Sequence, residues 1–146
     1  MKEIKVSSLQ ETAILGEKLG NLLKPGSLVT LCGDLGAGKT TFTKSIGKAL
    51  GIKKVINSPT FTILKTYYGK MPMHHIDAYR LEGISQDLGF EELFDDGVCI
   101  IEWPGYINDQ LPDERLEIEI KRLSETERLF LFHPIGDVYE KIVRVL

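Results

Sequence analysis

The stretch Leu28 to Leu50, LVTLCGDLGAGKTTFTKSIGKAL, constrains this chain more than any other. An apolar run (Leu28, Val29, Leu31, Cys32) gives way to Gly33, Gly36, Gly38, Lys39 and Thr40, which fill the GxxxxGK(S/T) template of a phosphate-binding loop. Glycines let the backbone wrap closely around an anion with its N–H groups turned inward. The N-terminus of the helix that follows adds partial positive charge. Lys39 is placed to neutralise terminal phosphates, and the Thr40 hydroxyl can ligate a magnesium ion bridging them. The competing reading is a Gly-rich turn between a strand and a helix. Context favours the loop, because it follows a strand-like run and opens a helix with Phe42, Ile46, Ala49 and Leu50 on one face.

At 146 residues the chain is expected to form a single domain, 1–146, around one core. Its mean hydropathy is −0.05, and no apolar stretch approaches the roughly 20 residues needed to span a bilayer. The N-terminal MKEIKVSSLQ has no apolar segment after its positive charges, so a secretory signal is not expected and the cytoplasm is the default location. Cys32 and Cys99 lie in apolar runs without a CxxC neighbour, which predicts free thiols acting as small core residues. A net charge of −3 offers no large nucleic-acid footprint. Any RNA connection would run through partners.

Residues Glu3 to Val6 read as a short strand, and Ser8 with Glu11 as a capping box ahead of a helix striped with Leu15, Leu19, Leu22 and Leu23. Lys24-Pro25-Gly26 stops that helix. After the loop helix, which ends at Gly51, Thr60 to Tyr68 reads as a strand, with Met71 to Asp77 as its hairpin partner and Pro72 preferring an edge. Glu82 to Asp96 is acidic and reads as two short helices or a broken one. Val98 to Ile101, closed by Glu102, reads as a buried central strand. Leu116 to Ile120 and Leu129 to Phe132 suggest a second hairpin at a half-exposed edge, and Asp137 with Glu140 can cap a final helix carrying Tyr139, Ile142, Val143 and Leu146.

A phosphate-binding loop needs a carboxylate at the end of a neighbouring strand to hold the metal. Glu102 is the strongest candidate, and it could equally orient or deprotonate a water. Asp77 is the second, if its strand ends at the same edge; a lone Asp after a strand is otherwise a turn residue. Thr60, on a loop after the loop helix, reads either as a hydroxyl that senses metal or γ-phosphate or as a strand start. His74 and His75 point to opposite faces of a strand and read as structural.

Taken together, GDLGAGKTT at Gly33 to Thr41, SPTF at Ser58 to Phe61, HIDAYRL at His75 to Leu81 and IIEWP ending at Pro104 resemble the bacterial TsaE (YjeE) family, in that family's order and over nearly the whole chain. The loop is shared by many NTPases, whereas its combination with the other three motifs is specific. The resemblance implies a compact P-loop α/β fold, a central mostly parallel sheet flanked by helices with antiparallel hairpins at its edges. It implies ATP hydrolysis with Mg2+ as part of tRNA threonylcarbamoyladenosine biosynthesis. Partnership with TsaB and TsaD follows, with TsaC in the same pathway and tRNA reached only through partners. Carried onto matching positions, Lys39 and the loop amides of Gly33, Asp34, Leu35, Gly36, Ala37, Gly38, Thr40 and Thr41 bind phosphates. Thr40 and Glu102 serve the metal, Asp77 acts close to it, Thr60 lies in a nucleotide-sensing segment and Trp103 lies beside the site. Thr12 and Arg128 also match recurrent positions and are assigned to the nucleotide.

Two other functions fit a phosphate-binding loop. A small-molecule kinase would need a second substrate pocket, which the motifs do not supply. It would also be expected to cluster arginines, and the five here (Arg80, Arg115, Arg122, Arg128, Arg144) are scattered, Arg80 being the best placed for charge stabilisation. A nucleotide-gated binding module, in which turnover is incidental, uses the same positioning groups as an ATPase.

Overall fold

The computed structural model describes residues 1–34, 36–57, 63–81 and 89–146, and of Arg80 only the backbone. Strands β1 (Lys2–Val6), β2 (Leu28–Cys32), β3 (Leu64–Tyr68), β4 (Pro72–Asp77), β5 (Val98–Glu102), β6 (Arg115–Arg122) and β7 (Arg128–Ile135) form one sheet in the order β1-β7-β6-β2-β5-β4-β3. The helices are α1 (Leu9–Leu22), α2 (Lys39–Ala49) and α3 (Asp137–Arg144). Strands β6, β2, β5 and β4 run parallel at the centre. The β3–β4 and β6–β7 hairpins each give one strand to that centre and one beyond it, and β1 pairs antiparallel with β7. The α/β architecture expected from the sequence is therefore present.

Several local expectations change. Pro72 was expected at an edge, yet β4 lies between β3 and β5. Pro72 is tolerated because it is the first residue of β4 and the ladder to β5 begins only at Met73, so no inward N–H is demanded of it. The β6–β7 hairpin is not an edge either, since β1 covers β7 from Lys2 opposite Phe132 to Val6 opposite Arg128. The strand predicted from Thr60 begins at Leu64, and residues 60–62 lie outside the described residues. Of the acidic stretch, Phe90–Leu93 forms a 3₁₀ turn, and residues 82–88 lie outside the description.

Ser8 caps α1 as predicted, its Oγ accepting the Glu11 N–H at 3.1 Å. The Glu11 carboxylate accepts the N–H of Ser7 rather than that of the cap residue itself. At α3 the predicted cap by Asp137 does not form. Gly136 is the cap residue and Asp137 opens the helix, where its charge still favours the positive end of the helix dipole.

Both faces of the sheet are covered. Leu15 and Leu19 of α1, Phe42 and Ile46 of α2 and Tyr139 and Ile142 of α3 pack in one cluster with Val29, Leu31, Ile100 and Ile118. On the other face Leu28, Ile76, Cys99 and Ile101 lie under Leu81, Phe90, Phe94, Ile107 and Leu111. Burial on both sides explains the unbroken VCII run of β5, every residue of which is buried. Each such aliphatic side chain contributes roughly 1.5–3 kcal/mol, so the central strands form a firm platform. Because those strands are parallel, the C-terminal ends of β2, β5 and β4 emerge at one edge, where ligand sites of open α/β sheets form. Cys99 is a core thiol, and burial pushes its pKa up to about 12. Cys32, expected in the core, is exposed at the end of β2. Among the described residues, no helix is long and apolar enough to cross a membrane.

Candidate functional site

The loop leaves β2 at the sheet edge and turns directly into α2. Gly38 makes that turn with φ at 104°, a left-handed conformation that strains residues bearing a Cβ. Gly33 is required for a different reason: a Cβ there would stand 2.7 Å from the Ile120 carbonyl oxygen, so glycine lets the loop pass close to β6. No side chain caps the start of α2, which leaves its first amides for an anion. Arg128, from the start of β7, braces the loop from behind. Its Nε donates to the Ala37 carbonyl at 3.0 Å and Nη2 to that of Gly36 at 3.3 Å, while Nη1 donates to Ser124 and Glu127 carbonyls at 2.7 and 2.9 Å.

The facing wall comes from β4 and β5. Their register sets Asp77 opposite Glu102, so two strands distant in sequence deliver two carboxylates side by side. Glu102 and Lys39 are both buried, with Lys39 Nζ 3.9 Å from Glu102 Oε1 and 4.3 Å from the centre of the Trp103 ring. At that separation the two charges attract but do not share a hydrogen bond. Burying opposite charges so loosely forgoes stability, and such an arrangement marks a site. The other Glu102 oxygen, Oε2, lies 2.6 Å from Nε2 of fully buried His75. Asp77 is half-buried and accepts the Tyr79 N–H at 3.0 Å.

Trp103 follows Glu102 with φ at 57°, and among the described residues it is the one non-glycine with positive φ. For a bulky side chain this conformation is strained, and such strain clusters at functional sites. It turns the indole toward Lys39 and against Tyr79, whose ring centre is 5.1 Å away.

Lys39, Thr40, Thr41, Gly36, Gly38, Asp77, Glu102, Trp103 and Arg128 thus line one cleft of about 330 Å³, joined by Leu9 of α1. Four described residues that the sequence predicts for the site lie outside its lining: Gly33, Asp34, Thr12, whose buried hydroxyl donates to the Ser8 carbonyl at 3.3 Å, and Ala37, buried with its carbonyl on Arg128. Leu35 and Thr60 lie outside the described residues, as does the SPTF stretch. Gly33 and Asp34 line a second, larger cleft of about 680 Å³, walled also by Cys32, Trp103, Tyr106, Glu119, Lys121 and Arg122. The motifs had suggested no second pocket, because its walls come from three separate strand ends. Burial first, then Glu117 and Glu119, pushes the Cys32 thiol pKa up.

His75 is the residue the sequence reading missed. Alternation along β4 already placed it on the face of Asp77, two residues on, but only the register with β5 shows that this is also the face of Glu102. His74, on the other face, is structural as expected, held by Thr66 at 2.8 Å and Asp96 at 3.1 Å. Among the described residues no three His, Cys, Asp or Glu side chains converge as a protein-only metal cage. Two carboxylates and a hydroxyl beside a phosphate cradle suit magnesium, which uses one or two carboxylates together with phosphate oxygens and water.

Comparison with known proteins supplies what geometry does not. The family model described as "Threonylcarbamoyl adenosine biosynthesis protein TsaE" matches residues 6–130. The chain is 47% identical to the tRNA threonylcarbamoyladenosine biosynthesis protein TsaE of Bacillus subtilis, over 100% of this chain and 95% of that protein. It is 41% identical to the protein of the same name from Treponema pallidum, over 83% of this chain and 92% of that one. The crystal structure of Bacillus subtilis YdiB superposes with a TM-score of 0.85 at 39% identity, covering 99% of this chain and 92% of that one. With the loop, the paired strand-end acids and the sheet order all in place along the matched length, this chain belongs to the TsaE family.

Proposed function

We propose that the chain is a magnesium-dependent ATPase that binds and hydrolyses ATP in the cytoplasm to support TsaB and TsaD in forming threonylcarbamoyladenosine on ANN-decoding tRNAs. The observation that carries the chemistry is the convergence of Lys39, Thr40, Asp77 and Glu102 on one cleft at the start of α2. The pathway rests on family membership.

In this reading the amides at the start of α2 cradle the phosphates, and Lys39 leaves Glu102 to neutralise charge on the terminal phosphoryl group. Thr40, Asp77 and Glu102 would hold the metal, directly or through water. Bound there, magnesium would neutralise the phosphate charge that grows as the bond to the leaving oxygen breaks. With Oε2 against His75, Glu102 has its other carboxylate oxygen turned to the cleft to orient a water. Arg128 holds the loop rather than reaching for the phosphates, since its donors already serve carbonyls. Thr12 and Thr60 complete the assigned nucleotide set, the first from α1 and the second from the SPTF stretch. A net charge of −3 offers no large nucleic-acid footprint, so tRNA would be reached through partners; that these are TsaB and TsaD, with TsaC in the same pathway, rests on the family.

The test is an ATPase assay of the purified chain with and without the TsaB–TsaD pair, alongside reconstituted tRNA modification. A rate that rises on mixing is expected. Full modification supported by a Lys39→Ala protein would overturn the hydrolytic role. The second cleft favours one other reading, a small-molecule kinase whose acceptor sits beside the loop at Asp34 and Trp103. Stoichiometric phosphorylated product from a metabolite screen, made without partners, would decide for it.

A further inference from the structure

His75 has an environment that ties its ring to the site. Its ring is fully buried, Nε2 lies 2.6 Å from Glu102 Oε2, and Nδ1 is buried without a hydrogen-bond partner. An Nε2–H is a donor that the carboxylate oxygen accepts at this distance, whereas a proton on Nδ1 alone would set the Nε2 lone pair against that oxygen.

We propose that His75 is a positioning residue for the site: its Nε2–H donates to Glu102 Oε2 and holds that carboxylate with Oε1 turned toward Lys39 and the cleft. The inference rests on the proposed role of Glu102 in an ATP site and goes beyond it by assigning what orients the acid. Second partners of this kind fix the orientation of metal-directed carboxylates. His75 also explains why Lys39 and Glu102 stay 3.9 Å apart although both are buried. With one oxygen tied to the ring, the carboxylate cannot rotate to meet the ammonium with both. Without the tie, Glu102 and Lys39 would close into a tighter pair and both would be withdrawn from the cleft.

Two measurements on the full chain test this. Nitrogen-15 NMR of histidine-labelled protein, with the His75 signals assigned by their loss in His75→Gln, is expected to show a proton on Nε2. A ring without a proton on Nε2 would overturn the proposal. The second compares His75→Phe, which removes the donor, with His75→Gln, whose amide can reach the same oxygen. His75→Phe is expected to lose about ten- to hundredfold in magnesium-dependent ATP affinity by calorimetry and in kcat with TsaB–TsaD. His75→Gln is expected to recover most of both. Equal losses in the two variants, or none in His75→Phe, would overturn the positioning role. If His75→Phe does not fold, the tautomer measurement decides. If the wild-type chain hydrolyses no ATP, the proposed function fails, while the tautomer and the affinity comparison still decide the role of His75.

Discussion

The two walls of the cleft are built on opposite plans. The loop wall, Gly33 to Thr41, presents backbone amides and side chains from consecutive residues, and its conformation is set by glycines. The acidic wall presents side chains alone, from β4 and β5, and exists only because those strands pair with Asp77 opposite Glu102. Each is held by a buried or half-buried residue from elsewhere in the chain, Arg128 behind the loop and His75 behind the acid. On the proposed function the loop wall should tolerate the loss of any one amide, because several would share the anion. The acidic wall concentrates its chemistry in single carboxylates, so substitution there should remove function in larger steps.

That contrast orders the expected effects. Glu102→Ala should lower kcat by about 10²–10⁴-fold in an assay with TsaB–TsaD while leaving the fold intact by circular dichroism. Retention of most activity would place the decisive acid elsewhere. Lys39→Ala, which removes the side-chain cation of the loop wall, should cost about 10²–10³-fold in kcat. A loss as small as that of an amide neighbour would erase the distinction between side chains and backbone on that wall. Arg128→Ala leaves every amide in place and removes only the brace, so KM for ATP should rise about tenfold with kcat little changed. A fall in kcat without a change in KM would make Arg128 a direct participant instead. Asp77→Asn keeps an oxygen for the Tyr79 N–H and removes only charge. The magnesium concentration for half-maximal rate should rise by up to about tenfold.

The smallest effect lies beneath the loop. Because partial burial at the end of β2 and the two glutamates on β6 raise the Cys32 pKa, less of this thiol is thiolate at neutral pH than in a free cysteine. Its alkylation should be slower than that of a model thiol at pH 7 and should accelerate as pH rises into the alkaline range. Glu119→Gln should speed it. A thiol faster than the model compound would show that Lys39, which alone among the named neighbours lowers the pKa, dominates there.

Much of the fold was legible because burial leaves a pattern. The VCII run announced a strand covered on both faces, and the leucine stripe of α1 announced a helix with one covered face. Edge positions were not legible. Pro72 suggested an edge for β4 and alternation suggested one for the β6–β7 hairpin, yet β3 and β1 are the outer strands. Proline at the head of a strand and alternation along it describe local hydrogen-bonding demand and facing. They do not say which distant strand supplies the neighbour. In the site, Lys39, Thr40 and Glu102 could be read from motif and strand end, but His75 could not. A buried histidine on a strand looks the same whether it meets a hydroxyl, as His74 does, or a glutamate on the adjoining strand.

The sequence by itself determined the loop between β2 and α2, because its backbone geometry follows from local glycine conformations and the start of one helix. Tertiary structure alone decided what faces that loop. The spacing of Lys39 from Glu102, the histidine behind the acid and the arginine behind the loop depend on strand pairing and packing between residues far apart in the chain. Those are long-range consequences of burying the sheet on both faces, and no local stretch encodes them.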